Sequence, residues 1–520
     1  MMLSTFLLSF FSLFSQPGAD SSQFDLIIGS YTSKGNPGLE VYSFHTGTGA
    51  SKATYSLQSP NASWQSVAPS RQYLYTVNEE SGRSTVSAYQ RNSEGKYAFL
   101  NSEITGGGGP CYVTYREASQ TVYAANYGSG SLSVFKTANG KLLPVAQHIV
   151  YKGSSANPGR QKEPHAHQVI VSADQQYLYV TDLGTDKIHQ HKINPDGTVQ
   201  ETSKDIPVKP GSGARHLTFN KEGTAAYVIS ELTGTVDVFS LSKDHQFKHI
   251  QRIVADTTAA AVKGSGHIQL SPNGKWLLTS NRVTIDEVTV FAVQADGRLR
   301  KTGHQPVTAK PRMFSFDPTG KFVLVAGQEG HTVQVFAFND QTGSMTDTKQ
   351  DIRLPMPVCL TFVQPDPPVD PELQLKKLNI SLIPPVAPIA NYVKFVRTGN
   401  LIFLSGHGPD KAEGGQVYGK LGKDLTIEEG QYAARLTGIS LVSTLKGALV
   451  DLNKVKRIVK VSGFVNSADG FGHQPSVMNG FSNLMVDIFG EKGKHTRTSV
   501  GVNALPNNIA VEIEMIVEVE

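Results

Sequence analysis

Five side chains spread through the middle of the chain, His167, Arg215, Glu231, Arg282 and Arg312, are of the types that handle an acyl or anionic centre. Arginine clamps a carboxylate or phosphate with paired hydrogen bonds and neutralises an oxyanion as it develops. A histidine or glutamate beside it can move a proton to or from water or a ring oxygen. We take His167, Glu231 and Arg282 as candidate catalytic residues, and Arg215, Arg312, Gln328, Glu79 and His267 as candidate substrate-binding residues. They lie far apart in sequence, so the fold must gather them.

A repeat does this. The stretch Ser271-Pro-Asn-Gly-Lys-Trp-Leu-Leu-Thr-Ser-Asn281, with the strand-like Glu287-Val-Thr-Val-Phe-Ala-Val293 and the turn Ala295-Asp-Gly297, has copies around Tyr73, Tyr177 and Phe322 and degenerate copies around Tyr123 and Tyr227. Copies about 50 residues apart, built of short alternating strands and Gly/Asp turns, predict a propeller with one four-stranded blade per repeat. Seven inner strands are expected, centred on residues 65–67, 112–114, 168–170, 216–218, 268–270, 313–315 and 358–362. The first unit, from Asp25, lacks its inner strand. Residues 358–362 should supply it and close a seven-bladed ring without an open edge.

Aligned on their turns, the repeats form two columns. The inner-strand starts read Ser63, Cys111, His167, Arg215, Gly266, Arg312 and Val358. The positions after the next strand read Glu79, Tyr127, Leu183, Glu231, Arg282 and Gln328. Both columns should open at one mouth of the ring, as a site for an anionic or polyhydroxylated ligand. Strand-end Arg and Glu can equally pair across blades and merely hold the ring together.

Pro164-His-Ala-His167, Ala214-Arg-His-Leu-Thr-Phe219, Ser230-Glu-Leu-Thr-Gly-Thr-Val-Asp-Val-Phe239, Ser280-Asn-Arg282 and Lys310-Pro-Arg-Met-Phe-Ser-Phe-Asp-Pro-Thr-Gly320 with Ala326-Gly-Gln328 resemble the lactonase family, over roughly residues 24 to 363. That family holds the propeller-type 6-phosphogluconolactonases and the carboxymuconate cyclising enzymes. The resemblance implies a metal-independent site at one mouth, matched here by His167, Arg215, Glu231, Arg282 and Arg312, and lactone hydrolysis or its reverse, cycloisomerisation. His267 stands where the family usually has an acidic residue. A non-catalytic ligand-binding or scaffold propeller is the alternative from another class.

At 520 residues the chain is too long for one core. A net charge of +4 gives no reason to expect nucleic acid as a partner. The two cysteines, Cys111 and Cys359, read as buried thiols; no Cys/His spacing makes a metal site, and no cofactor is called for. Residues 1–18 read as a signal peptide, an apolar run ended by Gln16-Pro-Gly18, so an exported, periplasmic or secreted protein with no membrane insertion after signal removal is expected. Export favours an unphosphorylated sugar lactone as the small-molecule substrate.

Residues 364–388 are rich in proline and read as a linker. Residues 389–520 change texture: a hairpin around Thr398-Gly-Asn400, a capping box at Thr426-Ile-Glu-Glu429 opening a helix with Tyr432, Leu436, Ile439, Val442, Leu445 and Leu449 on one face, then strand, helix, strand, strand. This predicts an α+β domain. His495-Thr-Arg-Thr-Ser-Val-Gly-Val-Asn-Ala-Leu-Pro506 followed by Ala510-Val-Glu-Ile-Glu514 resembles the Rid (YjgF-type) family. That resemblance implies a chorismate-mutase-like fold, a homotrimer, and clefts that bind small carboxylates or deaminate an imine or enamine. Arg497, Glu512 and Tyr392 match its cleft positions, although an Arg and a Glu on neighbouring strands are equally an ion pair. Ser405-Gly-His-Gly-Pro409 replaces the family's usual Gly-Gln pair.

Overall fold

The computed structural model describes residues 22–80, 82–92, 94–364, 369–383 and 392–520. The expected signal peptide lies outside them. The chain divides into two compact units between Asp366 and Pro367.

The first unit is a seven-bladed propeller of small antiparallel sheets. Blade 1 is Gln23–Ser30, Gly38–His45 and Ser51–Gln58, with Pro357–Val363 as its inner strand. The closing register pairs Ile27 with Thr361 and Ile28 with Leu360. The inner strands of blades 2 to 7 are Gln65–Val67, Pro110–Arg116, Ala166–Val171, Ala214–Phe219, Ser265–Leu270 and Pro311–Phe316.

Burial grades from the axis to the rim. The second strands Thr121–Asn126 and Trp276–Asn281 are buried along their whole length, whereas the outermost strand of blade 3, Lys141–Val150, is mostly exposed or half-buried. A strand sandwiched between two sheets must be apolar on both faces, which explains runs such as Thr-Val-Tyr-Ala-Ala. The cores lie between blades: Tyr227, Ile229, Val236 and Val238 of blade 5 pack with Ile268, Leu277, Phe291 and Leu299 of blade 6. Each such side chain contributes about 1.5–3 kcal/mol relative to exposure.

A tyrosine latch joins successive blades. From the second strands, Tyr75, Tyr123 and Tyr227 donate to the carbonyls of Gly140, Gly197 and Gly297, each in the outer hairpin turn of the next blade. Tyr179 meets His245 in the same way, and Trp276 Nε1 donates to Asp340 O. The turn in Ser271-Pro-Asn-Gly needs φ of +73° at Gly274, a conformation that favours glycine.

The second unit is an α+β domain with strand order Phe395–Thr398, Leu401–His407, Val511–Val519, Val455–Asn466, Thr496–Val502. Helices α1 (Pro371–Lys377), α2 (Ile427–Leu449) and α3 (Gln474–Phe489) accompany it, and α2 opens on the expected capping box of Thr426 and Glu429. Two expectations are corrected. Residues 371–377, read as linker, are helix: Pro371 sits at the helix start, where its missing N–H costs nothing, Asp370 caps it, and Leu375 joins the core of this unit. Of the expected face of α2, Val442, Leu445 and Leu449 are buried and Leu436 and Ile439 half-buried, but Tyr432 is exposed, because the first half of the buried stripe is Ala433, Ala434, Thr437, Gly438 and Leu441. Small residues there let α3 approach closely; a Cβ on Gly438 would stand 2.8 Å from Leu484.

Candidate active site

A β-bulge opens the inner strand of six blades and positions the site. In blade 4, Ala166 pairs with Asp182 and Gln168 with Thr181, so His167 has no partner across the ladder. Cys111, Arg215, Arg312, the pair Gly266–His267 and Val358 are skipped in the same way in blades 3, 5, 7, 6 and 1. An extra residue bends the strand and re-aims its side chain. One column of the sequence alignment is therefore a column of bulges.

Glu231 is the hub. Its Oε2 accepts from Arg215 Nε at 3.0 Å and from Arg282 at 2.9 Å. Its Oε1 accepts from Arg160 at 2.9 Å. Burial alone would raise the Glu231 carboxyl, but Arg282, Arg215 and their neighbours hold it well below the usual carboxylate range, so it is ionised. Burial and then repulsion from Arg282 lower Arg215 to about 9, which leaves it a cation at neutral pH. A second group lies beside the first: Arg312 is 3.7 Å from Glu79 and stacks over Tyr31, whose hydroxyl donates to Glu79 at 2.9 Å.

His167 packs edge-on against Tyr127 and His216. Its Nδ1 and Arg282 Nε are buried and have no hydrogen-bond partner among the described residues. Burial, followed by the charge of Arg215, pushes the His167 imidazole far down, so it is neutral. Beneath these groups Trp64 stacks on Tyr112 at 4.1 Å, and His216 and His267 pack edgewise or tilted against Trp64. His216 Nε2 faces Arg215 Nη1, an obligatory donor, so His216 carries its proton on Nδ1 and donates to His267 Nδ1 at 2.9 Å.

Of the expected residues, His167, Arg215, Glu231 and Arg282 come together, with Arg312 and Glu79 beside them. His267 lies one layer beneath, against His216, Trp64 and Phe314. Gln328 does not join: only its backbone bonds, to Lys310, and its side chain has no hydrogen bond to the cluster among the described residues. Sequence reasoning missed Arg160, Tyr31, Trp64 and His216. Arg160 stands in the irregular segment between Lys141–Val150 and Ala166–Val171, outside any repeat, so no alignment column could reveal it. Cys111 and Cys359 are free and buried, as expected.

In the second unit the structure separates Arg497 from Glu512. Arg497 lies opposite Val461 and bonds Asn479, Ser482 and the Pro475 carbonyl along α3. Glu512 lies opposite Phe464, three residues further along the intervening strand, and approaches Gly406 on the face away from α3. An odd offset puts side chains on opposite faces. The two cannot pair within one protomer, which corrects the cross-strand reading. Tyr392 is about half exposed.

The family model "Lactonase, 7-bladed beta-propeller" matches residues 25–362. The chain belongs to the seven-bladed lactonase family. A YjgF/chorismate mutase-like family model matches residues 374–519. Among relatives of this lactonase-family chain, 6-phosphogluconolactonase of Formosa agariphila is 31% identical over 343 residues, 63% of this chain and 96% of its own. Protein TCP17 of Trypanosoma cruzi is 45% identical over 145 residues, 28% of this chain and 91% of its own. The solved structure of Pseudomonas aeruginosa periplasmic gluconolactonase, PpgL, has a TM-score of 0.63 at 31% identity, covering 66% of this chain and 99% of that one.

Proposed function

We propose that the propeller hydrolyses a sugar-type lactone at the Glu231 cluster. The observation that carries this is an ionised carboxylate held by three arginines, beside a neutral imidazole, in a lactonase-family propeller. Water attacks the lactone carbonyl carbon while Glu231 takes its proton. The carbonyl electrons move onto oxygen, where Arg282 and Arg312 neutralise them. Collapse of this intermediate breaks the ring C–O bond; His167 hydrogen-bonds the departing oxygen, and the proton on Glu231 returns to it. The product is the open hydroxy acid, with one water added.

The test is hydrolysis of gluconolactone and its 6-phosphate by purified protein. We expect Glu231→Gln and Arg282→Ala to lower kcat at least 100-fold, as loss of a positioned base or of one oxyanion donor typically does, by roughly 10²–10³. Rates equal to wild type would remove these residues from the mechanism.

Export is supported by the apolar run Met1-Met-Leu-Ser-Thr-Phe-Leu-Leu-Ser-Phe-Phe-Ser-Leu-Phe-Ser15 and by the likeness of the propeller to a P. aeruginosa gluconolactonase that is periplasmic. N-terminal sequencing of the mature protein tests it. For the second unit we propose a homotrimer that binds a small carboxylate through Arg497, or removes an imine. It rests on the YjgF-like match and on the exposed apolar residues Val396 and Phe403, paired on one sheet face. Keto-acid binding lost in Arg497→Ala would support the carboxylate site.

A further inference from the structure

The two oxygens of Glu231 are held differently. Oε2 is fixed by Arg215 and Arg282, whose side chains are only 2% and 13% exposed and belong to the blades themselves. Among the described residues Oε1 has a single partner, Arg160, whose side chain is 44% exposed. Arg160 reaches it from a loop whose stem is pinned: Gln161 Nε2 donates to Asp186 and to the Leu183 carbonyl, Ser155 Oγ donates to Asp186, and Ser155 N bonds Gln161 O. Residues 156–160 between those pins bond mainly among themselves, through Asn157. Arg160 can therefore leave Glu231 by rotating its own side chain, whose one other hydrogen bond among the described residues is to the Tyr127 hydroxyl at 3.0 Å.

Arg215 and Arg282 fill both lone pairs of Oε2, so Oε1 is the oxygen left to take a proton, and Arg160 holds one of its two lone pairs and lowers its basicity by its charge. We propose that Arg160 is a removable cap on Glu231 Oε1: an anionic group on the lactone draws the guanidinium away, and Glu231 then becomes a stronger base. Arg160 is in this sense a specificity-determining residue. The inference rests on the reading of Glu231 as the base. Charge supports it. Among the described residues Arg160, Arg215, Arg282 and Arg312 pair with no acid but Glu231 and Glu79, and with His167 neutral and Tyr127 and Tyr31 as phenols this cluster carries two more positive charges than negative. An anionic substrate can take Arg160 without leaving the arginines unbalanced. A neutral lactone has nothing to offer it.

The experiment compares wild type, Arg160→Gln, Arg160→Lys and Glu231→Gln on glucono-δ-lactone and its 6-phosphate at pH 7. Removing the cap should raise kcat/KM for the neutral lactone by up to about tenfold, the gain in basicity when a carboxyl loses a close opposite charge at the low end of that effect. The preference for the phosphorylated over the neutral lactone should fall about tenfold. Arg160→Lys, which keeps the charge but loses the fork, should restore the low rate on the neutral lactone and only part of the preference. If Arg160→Gln keeps both the wild-type rate on the neutral lactone and the wild-type preference while Glu231→Gln is inactive, the cap is refuted and the base assignment stands. If Glu231→Gln hydrolyses at the wild-type rate, the base assignment fails and the cap fails with it.

Discussion

His167, His216 and His267 are three imidazoles from consecutive blades, all buried and in edge-on ring contact along the axis. Burial is the first cause that lowers each, with Arg215 second; His267 falls to about 3, and the other two lie well below the ordinary value of 6.5. The sign follows from linkage. At pH 7 all three are neutral in the folded and unfolded chain alike. Below about 6.5 the unfolded chain takes up protons that the folded chain refuses, so stability present above that pH is lost as pH falls toward the folded values. Each histidine contributes about 1.4 kcal/mol per pH unit in that range. His189 acts in the opposite direction: burial disfavours its charge, but its hydrogen bonds to Asp182 and Asp205 raise it, so its share is complete at low pH and fades as pH rises. Denaturant unfolding of the protein should therefore weaken steeply from pH 7 to 5. His267→Gln should flatten that slope by about one proton; an unchanged slope would mean that His267 is not held neutral.

The tyrosine latches and the bulges are devices of the blade, and they differ in how far they can be read from residues alone. Tyr123 is fully buried with its hydroxyl 2.7 Å from Gly197 O. Tyr123→Phe strands that carbonyl and should cost about 1–3 kcal/mol, read as a drop in the denaturation midpoint, whereas exposed Tyr392→Phe should cost nothing measurable. The repeat was legible because turns punctuate it: the closing strand, the seven inner strands and the column holding His167, Arg215 and Arg312 all follow from aligning Ser-Pro-Asn-Gly turns. Arg160 was not legible, since a loop tip has no periodic position and its aim depends on the pins at Ser155 and Gln161. The pairing of Arg497 with Glu512 failed for another reason. Their faces depend on register across an intervening strand, and a shift of one residue there reverses the answer. On α2 the apolar count found the buried Val442, Leu445 and Leu449 but misplaced Tyr432, because close helix packing in the first half selects Ala and Gly, which such a count passes over.

On the scale of the whole molecule, assembly and synthesis are both set by edges. The face of the second unit that bears Val396 at 55% exposure and Phe403 at 41% is the one on which self-association is expected. Phe403→Asp should convert a trimeric mass in light scattering to that of one chain; a wild-type protein already monomeric would overturn the trimer. The other edge belongs to blade 1. Gln23–Ser30 is made first on the ribosome, and its partner Pro357–Val363 emerges only after all the other blades. At elongation rates of about 5–20 residues per second, the nascent chain carries this strand with its inner edge unpaired for on the order of tens of seconds. During that interval the apolar Leu26, Ile27 and Ile28 stand on a sheet edge open to any other unfinished chain. A circular permutant of the propeller that begins at Pro357 would emerge with that edge already covered, and should yield more soluble protein than the natural order when expression is fast.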